Sequence, residues 1–396
     1  MPVVARIERI TKPELNLSGK QVFLHQDYQI VASGAALRLS ATGEERTQKL
    51  ADGWRQVIAD AQVVDESDSD SPGLIALTSI TFDSQSKEES ILVVPAETFV
   101  LSDKACFRIT AQAEEETQSV QGVHGEFRTG LQTDEKFLSS VESALAAIEK
   151  GQIEKVVLAK DLILPISSEP DLGEPLRRLH KRYPDCWTYK IGNVFGASPE
   201  LLLKAEDGQV SARVLAGTAG RGTDPDVDKA IADGLAHSLK NKHEHLYAVQ
   251  SLVSELKPFC ENVEFDEEPF SLALPDLWHL ATDVRGTLKP QFTLLDVIQK
   301  LHPTAAVAGT PREQAITLIR ELEPFDRGGY AGPVGWLSSN GSGEIAIALR
   351  GGVIEENQIR AIAGCGIVSE STPQAELDET ELKFKAVRWA FQSTSS

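Results

Sequence analysis

Two kinds of hydrophobic pattern divide this chain. In residues 1–130, short apolar runs such as 21–24 and 90–94 alternate with polar turns, which predicts β-strands with an occasional helix. From residue 133 a helical spacing takes over, in which Thr133 can cap the start of a helix and Gly151 can end it. The apolar positions of this helix are Phe137, Val141, Ala144, Leu145 and Ile148. A strand that begins near residue 154 should follow it.

The later pattern continues to mix helices with strands. We predict helices at 224–257, 312–322 and 373–392, and strands near 188–196, 200–205, 211–216, 344–350 and 359–365. Several neighbouring strands are joined by turns too short for a crossover helix, which favours a mainly antiparallel sheet. No linker rich in Gly, Pro or Ser separates the two halves. The pattern therefore predicts one large α+β domain over residues 1–396.

Composition and charge exclude several classes of protein. The 396 residues carry a formal net charge of −20, with 41% hydrophobic and 25% charged residues. Such an acidic chain is a poor partner for a phosphate backbone, which binds Lys and Arg. No apolar run approaches the roughly 20 residues of a membrane span, and the first 30 residues lack the hydrophobic segment of a secretion signal. We expect a cytoplasmic protein that binds neither nucleic acid nor membrane.

The four cysteines do not define a metal or disulfide framework. They are widely scattered and form no CxxC pair. We expect most of them to be small buried residues. The four are Cys106, Cys186, Cys260 and Cys365.

A lysine opens the strand predicted near residue 154. In the run 154–160 (EKVVLAK), Lys155, Val157 and Ala159 point to one face, and the latter two make that face apolar. Desolvation there would disfavour the ammonium form and lower the lysine pKa, which is how a lysine becomes a general base near neutral pH. The alternative is a strand-end lysine whose ammonium group reaches water.

A glutamate lies where a turn meets a second apolar strand. Glu200 follows Ser198 and Pro199 and precedes three leucines. Partial burial would raise the pKa of its carboxyl group and keep it protonated, as a general acid requires. The alternative is a surface glutamate that begins a strand. Lys155 and Glu200 could together form a base and an acid that face one small molecule, an arrangement suited to exchanging hydroxyl groups on a ring.

Carboxylates on two predicted helices are candidate metal ligands. Glu376, Glu379 and Lys383 are spaced three and four residues apart and share one helix face, and Glu244 lies in a second helix. Carboxylates that converge from different helices suit Mg²⁺ better than Zn²⁺. The alternative is an exposed acidic helix.

Several other positions could contact an anionic ligand. Glycine-rich turns at 215–222 and 363–368 could bring backbone N–H groups close to a carboxylate, and Arg350 could clamp one through its planar fork. Neither turn has the spacing of a dinucleotide fingerprint. His279 and Thr304 are polar residues in apolar surroundings. A zinc site at 243–245 (HEH) is not expected, because a zincin needs its second histidine four residues after the first.

Taken together and in this order, these motifs resemble the chorismate-utilising enzymes. This family includes isochorismate synthases, salicylate synthases and the large chains of anthranilate and aminodeoxychorismate synthases. The resemblance runs from about residue 133 to the end of the sequence, and residues 1–130 carry no such signature. It implies one α+β domain of two packed, mainly antiparallel β-sheets with helices on the outside and a magnesium site between the sheets.

The resemblance also implies a role for each candidate residue. Lys155 matches the residue that activates water for attack on ring carbon 2, and Glu200 matches the acid that protonates the hydroxyl group leaving carbon 4. The positions that match magnesium contacts are Glu244, Glu379 and, through water, Glu376. The positions that match substrate contacts are Gly217, Thr218, His279, Thr304, Arg350, Gly364 and Lys383. Magnesium, Arg350 and Lys383 would together offset the carboxylates of chorismate inside an acidic protein.

The residue at position 155 separates two branches of the family. Ammonia-using relatives resemble one another in carrying glutamine there, so lysine implies water as the nucleophile and no obligatory glutamine amidotransferase subunit. We therefore predict a magnesium-dependent isochorismate synthase, a monomer or weak homodimer. The stretch 330–336 (YAGPVGW) favours the menaquinone branch over the catechol siderophore branch.

Two alternatives and one departure from the family pattern stay open. A salicylate synthase would also eliminate pyruvate from isochorismate, and a non-catalytic protein could keep the same fold. Asn241 stands where relatives often carry an acidic side chain, three residues before Glu244. This departure predicts weaker support for the metal ion.

Overall fold

The computed structural model describes residues 2–67, 70–113, 120–273 and 277–392, without the side chains of Thr218, Lys240, Glu244 and Leu277. Its contacts divide the chain into two compact units. Unit 1 comprises Met1–Glu200, His302–Asn340 and Ile345–Ser396, and unit 2 comprises Leu201–Leu301 and Gly341–Glu344. The single domain expected from the sequence stays a prediction.

The described residues form strands and helices with the following bounds. The strands are β1 (Val4–Arg9), β2 (Gln21–His25), β3 (Tyr28–Ser33), β4 (Leu37–Ala41), β5 (Gln62–Asp65), β6 (Ile75–Ser79), β7 (Ser90–Val94), β8 (Glu97–Ser102), β9 (Cys106–Ala111), β10 (Gln121–Gly122), β11 (Arg128–Thr129), β12 (Lys155–Pro165), β13 (Pro170–Asp171), β14 (Trp187–Ile191), β15 (Val194–Ser198), β16 (Leu201–Glu206), β17 (Gln209–Gly220), β18 (Cys260–Phe265), β19 (Phe270–Ala273), β20 (Leu277–Leu288), β21 (Gly309–Thr310), β22 (Pro333–Ser338), β23 (Gly343–Ile347), β24 (Gly351–Glu355) and β25 (Gln358–Ile367). The helices are α1 (Arg46–Asp60), α2 (Asp134–Glu149), α3 (Gly173–Arg182), α4 (Pro225–His237), α5 (Leu239–Leu256), α6 (Leu294–Leu301), α7 (Arg312–Leu322) and α8 (Pro373–Phe391).

Antiparallel pairing dominates in both units. Unit 1 contains a 13-stranded sheet in the order β11-β12-β25-β24-β15-β14-β2-β3-β8-β9-β1-β5, with β21 also paired to β12. Four more of its strands form a second antiparallel layer in the order β22-β6-β7-β4, and β14 contacts both β6 and β22. In unit 2, β16, β17, β20 and β18 are antiparallel neighbours in that order. The predicted α+β class with packed, mainly antiparallel sheets is confirmed.

Helices cover the outside of these layers. In unit 1, α2, α3, α7 and α8 contact the 13-stranded sheet, while α1 contacts β4 and β7. In unit 2, α4 and α5 contact β17 and β20. The core between α3, α8 and the large sheet is apolar and includes Leu179, Phe195, Ile359, Phe384 and Phe391. No helix in the described ranges is long and apolar enough to cross a membrane. Burial of the apolar core between α3, α8 and the large sheet holds α8 against β25.

Sequence signals close to the ends of α2 and α7 predicted where these two helices begin and end. The Thr133 side chain accepts a hydrogen bond from the Lys136 N–H and so caps α2 as predicted. Gly151 follows the helix with a positive φ of 69°, a conformation that glycine adopts at little cost. The bounds of α7 agree with the predicted 312–322.

Three predicted elements differ from the structure. The region 224–257 contains two helices, because Ser238 takes an extended backbone and caps the start of α5 through the Asn241 N–H. The region 188–196 is a hairpin of β14 and β15 that turns at Gly192, whose φ is 59°. The strand predicted for 344–350 ends at Ile347.

Candidate active site

Lys155 is the first residue of β12 and lies against β25. Its backbone pairs with Thr310 of β21. Gly366 of β25 makes room for the lysine side chain, because a Cβ atom at that position would lie 2.9 Å from the Lys155 Cε atom. Burial lowers the pKa of the Lys155 amine, the negative charge of Glu200 opposes that shift, and the positive charge of Lys383 adds to it. This is the environment that a lysine general base requires.

The apolar face predicted around Lys155 is present. Val157 is 8% exposed and Ala159 is fully buried. Gly309 of β21 packs on the backbone at this end of the strand, and a Cβ atom there would lie 2.1 Å from the Lys155 carbonyl oxygen. A glycine is therefore needed for β21 to approach β12.

Glu200 lies in the turn that follows β15. Its N–H donates to the Ser198 Oγ atom at 3.1 Å, and its carbonyl oxygen accepts from the Ile347 N–H at 3.0 Å. Burial raises the pKa of the Glu200 carboxyl group, although the positive charges of Lys155 and Arg350 oppose this shift. The raised pKa favours the protonated carboxyl group, which can act as a general acid.

Besides Lys155, two cations act on the Glu200 carboxyl group, namely Arg350 and Lys383. The Lys383 Nζ atom lies 2.6 Å from both the Gly364 carbonyl oxygen and the Glu379 Oε1 atom. Arg350 follows β23 and has a positive φ of 52°, an uncommon conformation for a residue with a Cβ atom. Strained backbone of this kind concentrates at functional sites, and the two cations together would attract an anionic ligand.

Two of the three predicted metal ligands lie on one turn of α8. Glu379 contacts Lys383, while the Glu376 side chain hydrogen-bonds the buried thiol of Cys365 and contributes, after burial, to the raised pKa of that thiol. Carboxylate oxygens are the donors that Mg²⁺ prefers, so these two residues fit that ion. Glu244 lies in α5 and its side chain is outside the described residues. Among the described residues, no group of three or more His, Cys, Asp or Glu side chains is arranged around a common point.

Tyr330 is a residue of this site that sequence reasoning missed. Its hydroxyl group hydrogen-bonds the Gly364 backbone, and burial raises its pKa to about 12 against the opposing charges of Arg327 and Arg350. The hydroxyl therefore remains a neutral hydrogen-bonding group across the physiological range. Tyr330 begins the stretch 330–336 that the sequence had singled out, but only for its family likeness.

Thr304, another predicted substrate contact, also belongs to unit 1. Its carbonyl oxygen accepts hydrogen bonds from the N–H groups of Val307 and Ala308. Its Oγ1 atom is buried without a hydrogen-bond partner among the described residues, which leaves it available to a polar ligand. Its role as a substrate contact stays a prediction.

The remaining predicted substrate contacts lie in unit 2. Gly217 has a φ of 79° and forms a β-bulge, after which the backbone of Thr218 pairs with His279 of β20. Burial lowers the pKa of His279, and a hydrogen bond to the Gly217 backbone opposes the shift. The Thr218 side chain is outside the described residues. The bulge therefore places Gly217, Thr218 and His279 in one short segment of the β17–β20 pair.

The two histidines of the stretch 243–245 both contact other protein groups. The two ring nitrogens of His245 lie 3.0 Å from the Ala216 carbonyl oxygen and 2.8 Å from the Thr282 Oγ1 atom. Both nitrogens thus have protein partners, and burial lowers the pKa of this histidine. The ring of His243 stacks on the ring of Tyr247.

The members of unit 1 that the structure brings together are Lys155, Glu200, Tyr330, Arg350, Gly364, Glu376, Glu379 and Lys383. The group contains two lysines, an arginine, three glutamates and a tyrosine hydroxyl, and the catalytic and binding roles expected of them stay predictions. The chain belongs to the family of chorismate binding enzymes, whose family model matches residues 103–392. The family predicted from the sequence is confirmed.

Two curated relatives are named isochorismate synthases. Isochorismate synthase MenF of Bacillus subtilis is 38% identical over 253 residues, which cover 63% of this chain and 54% of that protein. The chain thus matches about half the length of this relative. Isochorismate synthase DhbC of the same organism is 33% identical over 306 residues, covering 74% of this chain and 77% of that protein.

Solved structures share the fold over nearly the whole chain. A Bacillus anthracis protein assigned as the isochorismate synthase DhbC has a TM-score of 0.73 and 30% identity, covering 95% of this chain and 96% of that one. The menaquinone-specific isochorismate synthase MenF of Escherichia coli has a TM-score of 0.77 and 22% identity, covering 98% and 95%. At that identity, the second likeness concerns the fold alone.

Proposed function

We propose that this chain is a magnesium-dependent isochorismate synthase, which converts chorismate reversibly to isochorismate. The observation that carries the proposal is the opposite effect of burial on two neighbouring groups, since it lowers the pKa of Lys155 and raises the pKa of Glu200. Burial therefore favours a neutral amine and a neutral carboxyl group, which are the forms of a base and an acid ready to act. The names of the curated relatives support the same activity.

The two groups divide the proton transfers between them. Lys155 removes a proton from water as the water oxygen attacks ring carbon 2, and Glu200 donates a proton to the hydroxyl group that leaves carbon 4. One hydroxyl group enters and one leaves, so the bonding of substrate and product is similar. Acid and base exchange roles in the reverse direction, and the reaction is therefore reversible.

The cations bind and orient the substrate. Arg350 and Lys383 attract its carboxylates, and Gly364 is held between the Tyr330 hydroxyl and the Lys383 ammonium group. The resemblance adds four further contacts to the proposal. These are Gly217, Thr218, His279 and Thr304.

Magnesium completes the charge balance of the site. The resemblance assigns Glu379 and Glu244 to the ion directly and Glu376 through water, and carboxylate oxygens suit a hard divalent cation. The bound ion supplies positive charge that stabilises the substrate carboxylate.

Product analysis tests this proposal. Purified protein is incubated with chorismate, with and without Mg²⁺, and the products are separated by chromatography. We expect isochorismate, formed only when Mg²⁺ is present. Salicylate with pyruvate would instead assign a salicylate synthase, and unchanged chorismate would favour a non-catalytic protein.

A second lysine of β12 offers a matched control. Lys155→Ala should abolish turnover, whereas Lys160→Met changes a lysine on the opposite face of the same strand and should leave turnover nearly intact. Equal loss in both variants would mean that damage to the strand, and not loss of the base, explains the result.

We propose a cytoplasmic enzyme of the menaquinone branch that acts as a monomer or weak homodimer without a glutamine amidotransferase subunit. Activity of the purified chain with water as the nucleophile, and a single species in analytical ultracentrifugation, would agree with this assignment. A requirement for an added amidotransferase would contradict it.

A further inference from the structure

Within the described residues, one edge of β12 has no paired strand at residues 157–160, just beyond Lys155. Along its other edge, β12 pairs with β25 from Val156 to Pro165. Within the described residues, the edge away from β25 pairs with β21 at residues 155–156 and with β11 at residues 162–163. On this edge, residues 157–160 therefore lie between the part of β12 that pairs with β21 and the part that pairs with β11, and no described strand pairs with them.

A buried ion pair occupies this gap. The Glu323 Oε1 atom accepts a hydrogen bond from the Ala159 N–H at 2.7 Å, and the Arg327 Nη2 atom donates to the Val157 carbonyl oxygen at 2.8 Å. Glu323 and Arg327 thus bind the two backbone groups that a neighbouring strand would otherwise bind. A third backbone contact, from the Val157 N–H to the Ala308 carbonyl oxygen at 2.8 Å, completes the edge.

The ion pair is built as a rigid unit. Arg327 contacts both carboxylate oxygens of Glu323, at 2.8 Å through Nε and 2.5 Å through Nη2, and also donates to the Val307 carbonyl oxygen. The two side chains are 3% and 2% exposed, and the Arg327 guanidinium lies over the ring of Phe82. A bidentate pair that is closed off from water has little freedom to move.

We propose that the Glu323–Arg327 pair is a positioning element that fixes the β12 backbone and thereby aims Lys155 at the reacting water. The inference rests on the proposed function, because it assigns Lys155 as the base. Val157 and Ala159, the residues that the pair holds, share the face of Lys155 and begin two residues beyond it. The pair contacts β12 through backbone hydrogen bonds to Ala159 and Val157, so it acts on Lys155 through the strand.

Arg327→Lys separates the backbone contacts from the charge. Lysine keeps a positive charge beside Glu323 but lacks the fork that reaches the carbonyl oxygens of Val157 and Val307 together. Because small displacements of a catalytic group are costly, kcat should fall about 10- to 100-fold, while KM should change less than about threefold. Amide hydrogen exchange over residues 155–160 should become faster.

The matched control is Arg320→Lys. Arg320 also forms a two-point pair with a carboxylate, Asp83, and lies on α7, and its hydrogen bonds in the described part of the chain go to Asp83 and not to β12. This control should leave kcat and the exchange of residues 155–160 unchanged. If Arg327→Lys lowers only the melting temperature while kcat and β12 exchange match the control, the positioning role is wrong.

Two further arms keep the test decisive. If Arg327→Lys does not fold, Glu323→Gln takes its place, because it weakens the two-point pair with Arg327 and should likewise lower kcat and speed exchange over residues 155–160. If the wild-type chain does not convert chorismate, the proposed function fails. Amide hydrogen exchange over residues 155–160 then tests by itself whether the Glu323–Arg327 pair fixes the β12 backbone. Faster exchange in the variant supports it, and unchanged exchange overturns it.

Discussion

The two faces of β12 each carry a lysine, and the surroundings of the two lysines differ. Lys160 is 2% exposed, and its Nζ atom lies 2.5 Å from the Asp134 Oδ1 atom and 2.7 Å from the Glu381 Oε1 atom. Lys155 lies on the other face, where burial lowers its pKa, and within the described residues no carboxylate forms an ion pair with it at 4 Å or less. The same residue type on the same strand thus has two different settings.

The difference teaches what lets burial lower the pKa of a lysine, as the proposed role of Lys155 requires. A lysine that is paired with two carboxylates is a structural tie, and Lys160 joins α2 and α8 to the sheet. A lysine that is desolvated without such a partner is destabilised as a cation and becomes more readily neutral. Removing carboxylates from contact distance therefore matters as much as burial does.

The largest effect is expected from Lys155→Ala. Loss of the base should lower kcat by about 10²- to 10⁴-fold, while the melting temperature stays the same or rises because a desolvated amine is removed. Product formation from chorismate and thermal unfolding measure the two quantities. Retention of more than a small part of the wild-type kcat would sink the role assigned to Lys155.

Glu200→Gln should have the next largest effect. Loss of the acid should lower kcat by about 10²- to 10³-fold and change the pH profile. In the wild type, kcat/KM should fall at low pH as Lys155 becomes protonated and at high pH as Glu200 ionises. The variant should keep the loss at low pH but reach a plateau at high pH, because glutamine does not ionise. A profile that still falls at high pH would assign that limb to another group.

Glu379→Gln should change the metal dependence more than the maximal rate. The Mg²⁺ concentration that gives half-maximal activity should rise about tenfold or more, since carboxylate charge sets the affinity of such a site. The control is Asp378→Asn, which removes a neighbouring charge from a residue bonded to Gln374. The same shift in both variants would show that the overall charge of α8 is responsible.

Lys160→Met should have the smallest effect on catalysis. We expect kcat to stay within about threefold of the wild type, while the free energy of unfolding falls by about 1–3 kcal/mol as hydrogen bonds to charged groups are lost. The loss is limited because the Asp134 and Glu381 side chains are 58% and 35% exposed and remain hydrated. Chemical denaturation measures this change. Loss of activity as large as that of Lys155→Ala would remove the distinction between the two faces.

Much of the fold followed from local patterns. The cap at Thr133 and the bounds of α7 depend on residues close to one another in sequence, so the pattern predicted them. The turn at Gly192 and the break at Ser238 were missed, because apolar residues continue on both sides and hide the interruption. The left-handed backbone of Arg350 has no signal in its own sequence neighbourhood.

The sequence by itself determined the family, the α+β class and the identity of the candidate base, acid and α8 carboxylates, because each depends on residue type and short spacing. Only the tertiary structure decided which lysine of β12 is paired with carboxylates, where Tyr330 lies, and that Glu323 binds a backbone N–H 164 residues away. Desolvation and ion pairing depend on which atoms surround a group in space. Residues distant along the chain supply those atoms, so only folding reveals them.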